Sequence, residues 1–458
     1  MLTLRSLRTS TRVETPDLKA SLMRLSSGPW KLAVIESQRV LARLAGAGDD
    51  MVPELDGLVP TAAGGYGDLA FGDNCVYYVL SSSTETPFLE VGVVHSDPDA
   101  PERLDDFARD LENAIMSTLD GRKTRHMRFE WSELKRSSPR LDKLVASERE
   151  EGGIEFQRAV IPEEEAIAAG ILKTRAARTT LIDISQAGFA REQDILSRRG
   201  KAREEAKAAL DELKRGSLVA VEYLVECKKA GTPITRLQTP DDLHDPAIAR
   251  LRCPTCGRSF PEEELSEAYS VSELGKRMTQ KSHWMTVEVT RRLVDIGVPT
   301  EAILWNMSEG GEEVDIVVDV LGDIWLFELK DREFGAGDAH PFNYRQVRYK
   351  STKAVVVTTE KVSIDAKRVF QELAKESREQ RRIPIYIEGL ENTEPVLRQE
   401  IDSSYRRHAA RKLLGVSTAS GYDLRPLLKP RLGEIPESWE GSEQYSRIIR
   451  SLLARRGA

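Results

Sequence analysis

Between Val314 and Lys330 the chain carries two apolar runs broken by isolated charges. Val314-Asp315-Ile316-Val317-Val318-Asp319-Val320 is apolar but for two aspartates, and Ile324 to Lys330 is apolar but for Glu328 and the closing lysine. Burying an unpartnered charge is costly, so ordinary strands avoid this pattern. Leu321-Gly322-Asp323-Ile324 offers Gly322-Asp323 as a two-residue hairpin turn. With Leu321 opposite Ile324, Asp315 falls opposite Lys330 and Val317 opposite Glu328. Side chains alternate along a strand, so Asp315, Glu328 and Lys330 then meet on one face, away from the turn. Ile316, Val318, Phe327 and Leu329 take the other face, toward a core. A slip of one residue scatters the cluster. Asp319 shares the face of Asp315 but lies beside the turn, and reads as a solvated residue.

The flanking sequence supplies a frame for this hairpin. Val271 to Ile296 reads as a helix that Gly297-Val298-Pro299 ends, and Ala302 to Asn306 as a short strand. After Lys330, Asp338 to Tyr349 reads as a helix and Lys353 to Thr358 as a buried strand. Ser363 caps a further helix, Ile364 to Lys375, and Ile385 to Ile387 adds a strand with Pro384 at its entry. The order is helix, three strands, helix, strand, with one more helix and strand attached. Two carboxylates meeting one ammonium suit a hard, oxygen-preferring ion, Mg²⁺ or Mn²⁺. Such an ion activates water and stabilises charge growing on a phosphate, while Lys330 orients the water or the transition state.

Asp315 followed by Glu328-Leu329-Lys330 resembles the Asp…Glu-x-Lys signature of the PD-(D/E)xK, or restriction-endonuclease-like, nuclease superfamily. Val314 stands where that family's leading proline often does. Glu288, on the preceding helix, matches the additional metal-binding acid of some members. Gln346 resembles the glutamine of the Mrr-like branch, although Tyr349 follows it by three residues rather than four. The tripeptide alone is weak evidence: Glu133-Leu134-Lys135 and Glu212-Leu213-Lys214 repeat it without an upstream aspartate on a paired strand. The resemblance covers residues 270–392 and implies an αβββαβ core. It further implies a Mg²⁺-dependent endonuclease acting on DNA, in restriction or anti-phage defence, with Asp315, Glu328, Lys330, Gln346 and Glu288 as its site. Two other readings stay open: a non-catalytic DNA-binding or regulatory protein, and a dimeric junction resolvase. His340, in a glycine-containing loop, reads as solvated.

Upstream, Arg191 to Arg199 and Lys201 to Arg215 read as two helices, and Leu218 to Cys227 with Pro233 to Leu237 as a hairpin. Residues 176–240 therefore resemble a winged helix. Its second helix carries Glu204, Glu205, Asp211 and Glu212 among its cations, which favours docking to a protein over reading DNA. Cys253-Pro-Thr-Cys256-Gly257 is a metal knuckle, and Cys227-Lys-Lys-Ala230-Gly231 has the outline of a second with Ala at its other cysteine. Residues 241–269, with Cys227, resemble a zinc ribbon short of one ligand. His244 or a water can fill the place, and a metal-free ribbon held by packing is the alternative.

Residues 1–175 alternate strands and helices as an α+β domain of unassigned role, and Cys75 and His95 there lack partner spacing. Residues 393–458 form a basic helical tail, with patches at Tyr405 to Lys412 and Ile448 to Arg456. The whole is an α/β multidomain chain of 458 residues. Its net charge of -7 argues against a surface built throughout to coat nucleic acid but permits a local basic cleft. No apolar run is long enough to span a membrane. Met1 to Arg12 lacks the apolar core of a secretory signal, which leaves a frayed terminus or an organelle-targeting segment. Four cysteines, three of them around the knuckles, fit a reducing cytoplasm. The expected partners are DNA, a protein docked on the N-terminal or winged-helix segment, and a second copy of the chain.

Overall fold

A computed structural model of the chain describes residues 3–25, 28, 30, 65–71, 75–82, 87–95, 99–119, 124, 127–134, 141, 155–197, 202–309, 312–377 and 383–420. They fall in two compact units, one within Met1–Ser137 and Arg398–Ala458, the other within Ser138–Leu397. The architecture is mixed α/β with several sheets.

The first unit is an antiparallel sheet of β1 (Thr3–Thr9), β2 (Gly65–Phe71), β3 (Cys75–Ser82), β4 (Phe88–His95) and β5 (Ser132–Glu133), in the order β2-β3-β4-β1-β5. Helices α1 (Thr15–Leu25) and α2 (Ala100–Thr118) supply Leu18, Leu22, Leu104, Phe107, Leu111 and Ile115 to its core. The predicted helix from Pro101 to Leu119 is thus found within a residue at each end.

The second unit begins earlier than its sequence suggests. β6 (Glu155–Arg158) lies at the edge of a six-stranded sheet, and α3 (Glu163–Leu172) and α4 (Arg175–Ala187) follow. Residues 155–172 therefore belong to this unit and not to an N-terminal domain reaching 175. Next come β7 (Ala190–Arg191), α5 (Glu192–Ser197), α6 (Arg203–Arg215), β8 (Val219–Glu226), β9 (Pro233–Leu237), the short α7 (Pro246–Ala249) and β10 (Glu264–Val271). Their sheet runs β7-β10-β8-β9. β10 pairs with β8 along its whole length, from Glu264↔Glu226 to Val271↔Val219. The cysteine-rich segment is thus an insertion between two paired strands, and a boundary at 269/270 would cut β10.

The helix expected over Val271–Ile296 is two helices. α8 (Glu273–Thr279) and α9 (His283–Ile296) are separated by Lys281 and Ser282, both at positive φ. Gly275 lets α8 press against the carbonyl of Leu218, which accepts the Ser272 N–H at 3.1 Å. Then follow β11 (Ile303–Glu309), β12 (Glu312–Val320), β13 (Asp323–Lys330), α10 (Ala336–Arg348), β14 (Lys353–Thr358), α11 (Ile364–Ser377), β15 (Ile385–Glu388) and the first residues of α12 (Thr393–Ser420), which from Arg398 on is part of the first unit. The sheet order is β15-β14-β13-β12-β11-β6, with β13, β14 and β15 parallel and the rest antiparallel. Leu304, Val317, Leu326, Val356, Phe342 and Phe370 form the core against α10 and α11. Trp305, alternating with Leu304, faces α9 instead and donates its indole N–H to Thr290 at 2.8 Å. The basic stretch Tyr405 to Lys412 lies in α12, while Ile448 to Arg456 is outside the described residues.

Candidate functional site

The hairpin that carries the acids forms, but two residues out of the expected register. Val320 pairs with Asp323 and Ile316 with Phe327, so Leu321-Gly322, not Gly322-Asp323, is the turn. Leu321 (φ 55) and Gly322 (φ 91) both take the left-handed backbone that a type I′ turn requires. Asp319 fixes this turn. It is buried rather than solvated, and its Oδ1 accepts the Gly322 N–H at 2.5 Å. Because the displacement is even, every side chain keeps its face.

The ladder ends at Ile316↔Phe327, and continuing it sets Asp315 opposite Glu328 rather than Lys330. There the Asp315 carboxylate itself accepts the Leu329 N–H at 2.6 Å. Glu328 is buried and holds two cations: Lys330 Nζ at 2.9 Å and the Arg345 guanidinium at 2.5 Å. Burial, reinforced by the Glu328 charge, pushes the Asp315 carboxyl up to about 7, although the Leu329 N–H and Lys330 oppose it. Burial alone lowers Lys330, but the charge and hydrogen bond of Glu328 outweigh it, and the amine stands above its ordinary value.

α10 brings Arg345, not Gln346, onto Glu328. Gln346 is buried beside it in sequence, with its Nε2 making no hydrogen bond among the described residues. Tyr349 is the residue that ends this helix, and His340 on its early part is exposed. Arg345 is the site residue that the sequence does not disclose. Its signal is an arginine in a helix that must cross a buried glutamate, which no local spacing marks.

Glu288 does not join this cluster. Its buried carboxylate is held by Lys173 at 2.6 Å, Arg292 at 2.9 Å and Arg291 at 3.0 Å. The physical reason is placement. α9 covers the face of the sheet that Trp305 presents, whereas Glu328 projects toward α10. Among the described residues, Asp315, Glu328 and Glu288 do not form a common set of metal-ligand atoms.

A second cluster does form such a set. The ligand atoms of Cys227, Cys253, Cys256 and Glu263 all lie within 4.8 Å of one another, a group that could hold a metal such as zinc. His244 is not part of it. It ends a short 3₁₀ turn (Pro240–His244) and is exposed. Glu263 takes the place, with Oε1 accepting from the Cys256 thiol at 2.6 Å and Oε2 from the Lys228 N–H at 2.6 Å. The Glu263 carboxylate pushes the Cys256 thiol up to about 12, and is itself held below the usual carboxylate range by that thiol and by Lys228. Burial raises Cys253, but the N–H groups of Cys256 and Thr255 bring it below its ordinary value.

No family model matches the sequence, and no curated protein matches it. Among solved structures, protein VC1899 from Vibrio cholerae is similar at a TM-score of 0.27 and 12% identity. That match covers 55% of this chain and 59% of the other, less than two thirds of its length. A likeness this low assigns neither fold nor function. No helix among the described residues is long and apolar enough to cross a membrane.

Proposed function

We propose that the chain is a metal-dependent endonuclease of the PD-(D/E)xK type that hydrolyses DNA phosphodiester bonds at Asp315, Glu328 and Lys330. The observation that carries this reading is the convergence of two carboxylates from neighbouring strands with the Lys330 ammonium 2.9 Å from one of them. The order of α9, three strands, α10 and β14 supports it as well.

The donor set fits Mg²⁺ or Mn²⁺. Both acids offer hard oxygens, and Asp315 Oδ1 takes no hydrogen bond among the described residues. When bound there, the ion would lower the pKa of a water and offset phosphate charge. Arg345 holds Glu328 in orientation through Oε2, and Lys330 brings a proton-bearing amine to Glu328 Oε1, placed to steady an attacking water or a phosphoryl oxygen. Arg175–Leu237 has the helix, short strand, two helices and hairpin outline of a winged helix, and in this reading it positions DNA or a protein partner.

Purified protein incubated with plasmid and linear DNA should cut in Mg²⁺ or Mn²⁺ and not in EDTA. Glu328→Ala and Lys330→Ala should each lower the rate by about 100-fold or more. Cutting that survives EDTA or both substitutions removes the proposal. One observation favours a second reading, a non-catalytic DNA-binding module: Glu328 is already satisfied by two cations of the protein itself. That reading predicts DNA binding indifferent to EDTA and no cleavage under any metal.

A further inference from the structure

The geometry points to a closed zinc site in which Glu263 replaces the fourth cysteine of a two-knuckle clamp, with Cys227, Cys253 and Cys256 as the other ligands. This inference is independent of the nuclease reading, since it concerns the insertion between β8 and β10.

The two knuckles are built alike. In one, the Cys227 N–H donates to the Thr232 carbonyl at 2.9 Å and the Gly231 N–H returns to the Cys227 carbonyl at 2.7 Å. In the other, the Cys253 N–H donates to the Arg258 carbonyl at 2.8 Å and the Gly257 N–H to the Cys253 carbonyl at 2.9 Å. Gly231 (φ 63) and Gly257 (φ 77) both take the left-handed conformation at the same place in the turn. Ala230 therefore occupies the position in its knuckle that Cys256 occupies in the other. A chain lacking that cysteine would ordinarily lose the fold of the first knuckle or replace the ligand, and here the knuckle is intact. Glu263 reaches the space, and the Lys228 N–H within that same knuckle holds its far oxygen. Three thiolates and one carboxylate oxygen give a tetrahedral set with bonds of about 2.3 and 2.0 Å, within the reach of atoms this close.

The packing gives an independent reason for a metal. The insertion is held by a small satellite core of Val225, Leu237, Leu243 and Phe260, with Tyr223, Ile234, Ile248 and Leu265 only partly buried against it. Elements with so little apolar burial rarely stand without a disulfide or an ion. Cys227, Cys253 and Cys256 form no disulfide, and the third thiol and the carboxylate distinguish the cluster from a two-cysteine redox motif. With four protein ligands the ion is structural. It ties the end of β8 to the start of β10, where Glu226 faces Glu264.

The test is metal content of the full-length chain after dialysis against a weak chelator. Wild type should retain about one zinc per chain, and Co²⁺ exchanged into it should show the intense visible bands of a tetrahedral thiolate site. Glu263→Ala should weaken zinc retention by at least about tenfold, and His244→Ala should change nothing. The decisive variant is Glu263→Ala combined with Ala230→Cys, which should restore one zinc and add thiolate-to-cobalt intensity. Strong chelation of wild type should open the insertion to protease while the six-stranded sheet stays protected, a readout that needs no variant to fold. Wild type carrying a Cys253–Cys256 disulfide and no zinc would overturn the site. Full zinc retention in Glu263→Ala, or no rescue by Ala230→Cys in a folded double variant, would overturn the role of Glu263.

Discussion

Asp68 shows what a single buried carboxyl does to the first unit. It lies on β2, where the Leu69 N–H donates to one oxygen at 2.7 Å and the Tyr66 hydroxyl to the other at 2.9 Å. Burial dominates these bonds and pushes the carboxyl up to about 6. Between the ordinary value of 3.8 and about 6, the folded chain holds a proton that the unfolded chain has released. Stability therefore falls as pH rises through that window and levels off above it, by about 3 kcal/mol in all. Asp68→Asn keeps both hydrogen bonds, since its amide can donate to Tyr66, and has no charge to bury. Denaturant titrations at pH 4.5 and pH 8 should show the variant gaining on wild type at the higher pH, and an equal difference at both would disprove the account. Glycine is needed for space at two other places. A Cβ on Gly275 would collide with the Leu218 carbonyl, and one on Gly92 with the Tyr78 ring, whose hydroxyl bonds Glu90. The backbone contact cannot yield, so Gly275→Ala should cost about 2 kcal/mol, visible as a Tm lower by about 4–8 °C. An unchanged Tm would show that α8 is free to shift.

Arg178 on α4 shows how the elements of the second unit are joined. Its guanidinium donates to the Leu172 and Lys173 carbonyls at the end of α3, each at 2.8 Å. It also pairs with Asp331 at 3.0 Å, one residue beyond Lys330, and lies over the Trp284 ring of α9. Four elements thus meet on one planar cation. Arg178→Ala would leave Asp331, whose carboxyl is already raised by burial, without its main opposing charge. The expected loss is about 3 kcal/mol, and Arg178→Lys should recover only part because lysine lacks the planar fork. Equilibrium unfolding that ranks lysine with wild type would remove this argument. None of these contacts was legible in the sequence, because they join residues far apart in the chain. What was legible depended on local patterns. Pro233–Leu237 is found as expected, since Gly231 turns the chain into it and Pro233 opens it. The hairpin at Asp315 forms two residues away from the register its sequence suggests, because Gly-Asp is the commoner turn and a leucine at positive φ is unusual. The acids still meet, since parity and not exact pairing decides the face. Glu288 lies apart from Glu328, since helix position alone does not tell which face of the sheet the helix will cover.

At the scale of the whole molecule, the joint between the units lies well before residue 175, and this has a consequence for how the chain can be divided. β6 pairs with β11, its Arg158 opposite Leu304 and its Gln157 opposite Trp305. α3 gives Glu165 to His283 at 3.1 Å and to Arg277 at 2.8 Å, and Lys173, just past its end, pairs with Glu288 at 2.6 Å. Removing residues 138–175 would strip an edge strand from β11, leaving its unpaired backbone groups open to other chains. It would also leave Glu288, nearly fully buried, with two of its three cations, and expose the apolar face of α9 that α3 covers. A fragment spanning Ser138–Leu397 should therefore unfold in one cooperative transition, while one spanning residues 176–397 should aggregate or melt at least about 10 °C lower. Chelator should leave the sheet of the longer fragment folded if the cysteine cluster is a local clamp. Equal stability of the two fragments would mean that β6 and α3 only rest on the sheet, and the division at 175 read from the sequence would then stand.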